Sequence, residues 1–207
     1  PHNLTLIASD KAGNENNLSV NFYIDSKKPV IKKIFPLTNQ FSSGNFSVQY
    51  TEVNLSKAKL FIKNSSALTE IILPSCISGT NQDCSVFLNM SAYENQAIQF
   101  FFNISDSAAE IKSKINNITI DTINPSLTII SPVNTTYSSN SIPFNIASTE
   151  PAFISYSDNN GTFRALCSFC TSVSKTKSLS TGPHSIIIKA IDKAGNADTK
   201  TISITVT

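Results

Sequence analysis

One stretch of this 207-residue chain occurs at both of its ends. Pro183-His184-Ser185-Ile186-Ile187-Ile188-Lys189-Ala190-Ile191-Asp192-Lys193-Ala194-Gly195-Asn196 returns, in the same register, as Pro1-His2-Asn3-Leu4-Thr5-Leu6-Ile7-Ala8-Ser9-Asp10-Lys11-Ala12-Gly13-Asn14. An altered copy runs from Gln99 to Ser105 and continues Asp106-Ser107-Ala108-Ala109-Glu110, keeping the aspartate and losing the Gly-Asn. Recurrence of this kind marks a chain built from stacked modules. A second signature shows where each module begins. Ile24-Asp25 through Pro29 and Ile120-Asp121 through Pro125 share one spacing, followed by Pro36 and Pro132 and then by Phe41-Ser42-Ser43 and Tyr137-Ser138-Ser139. The chain therefore divides into the final strand hairpin of one repeat (1–28), a whole repeat (29–124) and another (125–207).

Within these stretches apolar side chains recur with period two, the mark of a half-buried strand. Leu4, Leu6 and Ala8 alternate with Asn3, Thr5 and Ser9, Ile186, Ile188 and Ala190 alternate with Ser185, Ile187 and Lys189, and Phe100, Phe102 and Ile104 take the same places in the middle copy. Partner strands follow: Val20, Phe22 and Ile24; Ile118 and Ile120; Ile202, Ile204 and Val206. Phe46, Val48 and Tyr50 match Ile142, Phe144 and Ile146 as an inner strand near the start of each repeat. Good helix formers are scarce among abundant Ser, Thr and Asn, so the expected fold is all-β, in tandem antiparallel immunoglobulin-like β-sandwiches. Each is expected to have seven strands and no helix longer than two turns.

Charged residues are 14% of the chain and the net charge is +2, which excludes the basic field that nucleic acid needs. No apolar run nears the roughly 18 residues of a bilayer span, so no membrane insertion is expected within this chain. No basic and apolar leader opens it.

The residues resemble the immunoglobulin-like or fibronectin-like repeats found in tandem on archaeal and bacterial surface proteins. Gly182-Pro183-His184 through Asn196 is similar to the usual ending of those repeats: Gly, any residue, His, an alternating strand, then Asp, any residue, Ala, Gly, Asn. The resemblance implies a cell-surface setting and leaves the partner open, because a fold alone does not give a function.

Cys76 and Cys84 lie in one repeat and Cys167 and Cys170 in the next. The second cysteine of each pair precedes the turn aspartate by the same interval, so the pairs look equivalent and predict one disulfide per domain. Such short loops contribute about 2 to 3 kcal/mol on the chain-entropy model, and they imply an oxidising compartment. The Asp-x-Ala-Gly-Asn turns could supply oxygens to calcium, but each offers one carboxylate, and a self-bonded aspartate turn with glycine at positive φ explains them without an ion. No metal or other cofactor is expected. His2 and His184 open equivalent strands, no triad surrounds them, and the chain is read as having no enzymatic activity.

Ten Asn-x-Ser/Thr sequons stand at Asn3, Asn17, Asn45, Asn54, Asn64, Asn89, Asn103, Asn117, Asn134 and Asn160, where 22 asparagines and 50 Ser or Thr predict roughly five by chance. Those on strands fall on the outward parity, so several are expected to carry glycans. The expected function is an architectural segment of an extracellular, cell-surface protein. An adhesin or lectin-like module, with cell-surface glycans as ligand on loops 78–83 or 157–161, is one alternative, and a spacer of a secreted hydrolase is another. The hairpin at 1–28 adds an expectation about partners. Its Leu4, Leu6, Ala8, Val20, Phe22 and Ile24 are core-type residues without a core, so either the preceding part of one long polypeptide or another copy of the protein, by strand complementation, is expected to cover them head to tail and build a filament or extended array. A filament follows only if something does cover them; a bare hairpin leaves a stalk.

Overall fold

The computed structural model describes residues 2–22 and 24–207; Pro1, which opens the first copy of the repeated stretch, lies outside them. Strands β1 (His2–Ser9) and β2 (Glu15–Phe22) form a separate two-stranded hairpin. The first sandwich follows, with β3 (Val30–Phe35), β4 (Gln40–Ser42), β5 (Asn45–Glu52), β6 (Lys57–Lys63), β7 (Leu68–Ile72), β8 (Gly79–Phe87), β9 (Ala97–Ser105), β10 (Glu110–Lys112) and β11 (Asn116–Ile120). One sheet has the order β3-β5-β8 and the other β4-β11-β9-β6-β7, with β10 laid along β9. The second sandwich contains β12 (Leu127–Ser131), β13 (Thr136–Tyr137), β14 (Ser141–Asp158), β15 (Arg164–Ser178), β16 (Gly182–Ile191) and β17 (Ala197–Val206). Among the described residues the helical structure is a single 3-10 turn at Ser91–Tyr93.

Period-two patterning places one side of each inner strand in a dry core. Phe46, Val48 and Tyr50 of β5 meet Phe100, Phe102 and Ile104 of β9, with Phe46 and Phe100 packed edge to face at 5.1 Å. In the second sandwich Ile142, Phe144 and Ile146 meet Ile186, Ile188 and Ala190, and Phe144 packs on Tyr156 at 4.8 Å. The two cores share no residue.

The expected seven antiparallel strands need correction in three respects. The opening strand of each repeat is split at a proline, which has no N–H to continue a ladder. After Pro36 the chain crosses to the other sheet, where β4 runs parallel to β11; after Pro132, β13 likewise runs parallel to β17. Conversely, strands that would be separate are fused in the second sandwich. Residues 141–147 of β14 pair with 172–178 of β15, while 152–156 pair with 164–170 of β15 and 153–158 pair with β16, the register shifting after Ala147. Last, β10 is an additional short edge strand. It carries Lys112 over the ring of Phe101, which also stacks on Phe61 at 4.8 Å, so Phe101 is buried on the nominally outward face.

Candidate functional site

What this chain repeats, besides its sandwiches, is the neck leading into each one. At the second neck the N–H of Asp121 donates to Ser42 O, fixing the end of β11. The carboxylate of Glu94 then accepts from Thr122 N (2.6 Å) and Thr122 Oγ1 (2.7 Å), holding the linker from the first sandwich. From the other side Asn196 Nδ2 donates to Asp121 O at 2.9 Å. The neck is thus bonded from both repeats, and Pro125 is buried beneath it.

The Asp-x-Ala-Gly-Asn turn makes that second contact possible. Asp192 Oδ1 accepts from Asn196 N, and Oδ2 from Asn196 Nδ2 at 2.7 Å; Asp10 and Asn14 repeat the arrangement with the same 2.7 Å side-chain bond. Gly13 (φ +84°) and Gly195 (φ +92°) supply the left-handed backbone that the turn requires. Two glutamates not singled out from sequence join the turn aspartates. Asp25, Glu52 and Asp106 each bring a carboxylate oxygen within 4.8 Å of the other two at the first neck, and Asp121, Glu150 and Asp192 do so at the second. Burial, then the neighbouring charges of Asp192 and Glu94, push the Asp121 carboxyl above its ordinary value. The same causes, with Asp121 added, raise Glu150.

His184 is buried at the far end of the second sandwich, with Nδ1 2.9 Å from the Asp158 carboxylate and Nε2 2.8 Å from Ser180 O. Burial alone would lower its pKa, but the Ser180 carbonyl and the Asp158 carboxylate outweigh it and the value is raised. Both ring nitrogens face acceptors, so the imidazolium is the form that satisfies them. The stabilisation is therefore complete below the unfolded value of about 6.5 and is lost as pH rises through the folded value. In melting curves across that window, the gap between wild type and His184→Asn is expected to shrink as pH rises; a pH-independent gap would contradict the charged pair. His2 is exposed and stacks on Phe22 at 5.6 Å.

The disulfides join Cys76 to Cys84 and Cys167 to Cys170, with Cα separations of 5.3 and 6.2 Å. The two second cysteines are not structural equivalents, however. Cys84 lies opposite Val48, whereas Phe144, the counterpart of Val48, faces Lys175. Equal spacing to the turn aspartate arose because the connection at 88–96, with its 3-10 turn, is replaced by a short one at 179–181. The Cys167–Cys170 loop instead holds Phe169 (φ +50°) beside Lys193, in a hollow at the neck that is also lined by Phe35 and Phe41 of the first sandwich.

Of the sequons, Asn3, Asn17, Asn45, Asn54, Asn89, Asn117, Asn134 and Asn160 are exposed, while Asn64 and Asn103 are half-buried. Asn103 Nδ2 is engaged by Glu110 of β10, and Asn54 Nδ2 donates to Asp25. Of the two supposed ligand loops, 78–83 lies almost wholly in β8, and 157–161 runs from the end of β14 into a turn with Asn159 and Asn160 at positive φ.

The hairpin has the pairing of the chain's last two strands. His2 faces Phe22 as His184 faces Ile204, and Leu4 faces Val20 as Ile186 faces Ile202. Ile186 and Ile188 are fully buried, yet Leu4 is 55%, Leu6 62% and Phe22 41% exposed, and Ala8, Val20 and Ile24 are exposed with them. The hairpin does not fold back on its own chain. Among the described residues, no other segment of this chain covers its apolar face.

Comparison with solved structures bears on the fold. The fibronectin(III)-like modules of Clostridium thermocellum CbhA superpose with a TM-score of 0.51 at 12% identity, covering 86% of this chain and 94% of that one. The fold is that of fibronectin-like sandwich modules. The chicken CNTN1 FN1-FN3 domains give a TM-score of 0.49 at 11% identity, over 99% of this chain and 74% of that one. A tetra-tandem repeat from the extending region of a large adhesion protein gives 0.36 at 15% identity, over 99% and 56%. Scans against family models and curated proteins return no match. Among the described residues no helix is long and apolar enough to cross a membrane.

Proposed function

We propose that the chain is a spacer segment of an extracellular surface protein, in which fibronectin-like sandwiches follow one another end to end and hold something else at a distance. The observation that carries this is the hairpin: the same strands, in the same register, are buried in β16 and β17 and bare in β1 and β2. In this proposal residues 1–28 close a preceding sandwich of the same polypeptide, 29–124 and 125–207 are the next two, and the bonded necks limit how far they bend. Disulfides in both sandwiches fit an oxidising exterior. Glycans on the exposed sequons would shield the segment from proteases.

An adhesive role has one observation in its favour, an open concavity of about 690 Å³ on the first sandwich lined by Ile31, Ile34, Phe35, Leu37 and Ile111. Native material separates the two roles. A spacer is expected to carry glycans that raise the mass of this segment above its bare 22.4 kDa and to show no saturable binding to cells or glycan arrays. Saturable binding abolished by Phe35→Ser would favour the adhesin.

A further inference from the structure

The three copies of the aspartate turn differ in one atom's surroundings. In the two intact copies the aspartate Oδ2 receives the side-chain amide of the asparagine four residues on. In the altered copy that position is Glu110. Asp106 Oδ1 still accepts from Ala108 N and Ala109 N, at 2.6 and 2.5 Å, but Oδ2 is buried without any hydrogen-bond partner. Asp106 as a whole is 7% exposed, and Glu52 beside it is also buried. A buried carboxylate oxygen with no donor is costly unless a positive charge sits against it.

No lysine or arginine fills that role. The ion pairs among the described residues are Lys59–Glu70 and His184–Asp158, and neither involves Asp25, Glu52 or Asp106. The arrangement does suit an ion. Calcium binds oxygens at about 2.4 Å, so two ligands on one ion are at most about 4.8 Å apart. The three carboxylates, each with an oxygen within 4.8 Å of the others, meet that limit. Magnesium is strictly octahedral and dehydrates reluctantly, which suits it less to a cluster of protein carboxylates. Asn54 secures the cluster by donating its side-chain amide to Asp25 Oδ2 and its backbone N–H to Glu52 Oε1.

We propose that Asp25, Glu52 and Asp106 form a binding site for a hard divalent cation of the calcium class at the neck entering the first complete sandwich. The ion takes the place that the asparagine amide holds in the other two copies. It ties the linker residue Asp25 to the end of β5 and to the turn after β9. At the second neck Asp192 Oδ2 is already occupied by Asn196, so the site at the first neck is the one that calls for an ion.

The test is calorimetric titration of the whole chain, stripped with chelator, with calcium chloride, paired with thermal melts. One equivalent is expected to bind with a Kd on the order of 10⁻⁴ to 10⁻³ M and to raise the melting point of the first sandwich, with magnesium at least about tenfold weaker. Glu52→Gln is expected to lose that equivalent, and Glu70→Gln, on the exposed edge, to keep it. Should Glu52→Gln fold poorly, Asp106→Asn serves instead: its carbonyl preserves the turn, so it should melt higher than wild type without calcium and gain nothing from calcium. Absence of heat and of any melting shift at about 10 mM calcium would overturn the proposal, as would undiminished binding in both variants.

Discussion

Phe100→Ala should unfold the first sandwich far below its normal temperature and leave the second where it was. Phe100 is fully buried on β9, packed edge to face against Phe46 at 5.1 Å and against Phe102 at 6.0 Å. Truncating a buried phenylalanine costs about 3 to 5 kcal/mol, from lost transfer energy and from the cavity that the neighbours cannot close. In a domain of this size each kcal/mol moves the midpoint by roughly 4 to 8 °C, so a fall of more than about 12 °C is expected. The second core contains none of the same residues, and distant sites without shared partners act additively. Differential scanning calorimetry should show one transition displaced and one unmoved. A single transition that shifts as a whole would mean the sandwiches do not melt independently.

Removing the first disulfide should give the next largest loss. Replacing Cys76 and Cys84 together by serine opens a loop between residues eight apart, which costs about 2 to 3 kcal/mol on the chain-entropy model. Cys84 is itself buried in the core and Cys76 packs on it, so the new hydroxyls add to the cost. A drop of about 10 °C or more in the first transition is expected, and reduced wild type should fall toward the same value. The Cys167–Cys170 pair spans three residues within one strand, so its removal should cost less. An unchanged midpoint for the first double variant would show that the bridge constrains nothing in the unfolded chain.

The sequence showed most where the physics is local. Alternation of Phe46, Val48 and Tyr50, or of Ile186, Ile188 and Ala190, identifies core-facing strands because a strand's two faces differ residue by residue. Asp10 and Asp192 bond amides within four residues, so their turns were legible too. Glu52 and Glu150 were not, since each meets its aspartates through the fold. Their correspondence is further hidden by the register shift that follows Ala147, which puts Glu150 two residues out of step with Glu52. Asp106 is the instructive case. Loss of the Gly-Asn looked like decay of a turn, and the orphaned oxygen it leaves among other carboxylates needed coordinates to be seen. Phe101 reads as outward by parity, and only β10, folded over it, makes it core. Cys170 was matched to Cys84 by counting to a common aspartate, which failed because the intervening connection changed length.

Small-angle X-ray scattering of the isolated chain tests the spacer most directly. A single compact globule of 207 residues has a radius of gyration near 17 Å. Two sandwiches end to end with a projecting hairpin should give a value well above that, with a pair-distance distribution that tails to long separations and does not change with dilution. A radius close to 17 Å would mean that the modules fold back on one another, and a spacer made of this chain would then be contradicted.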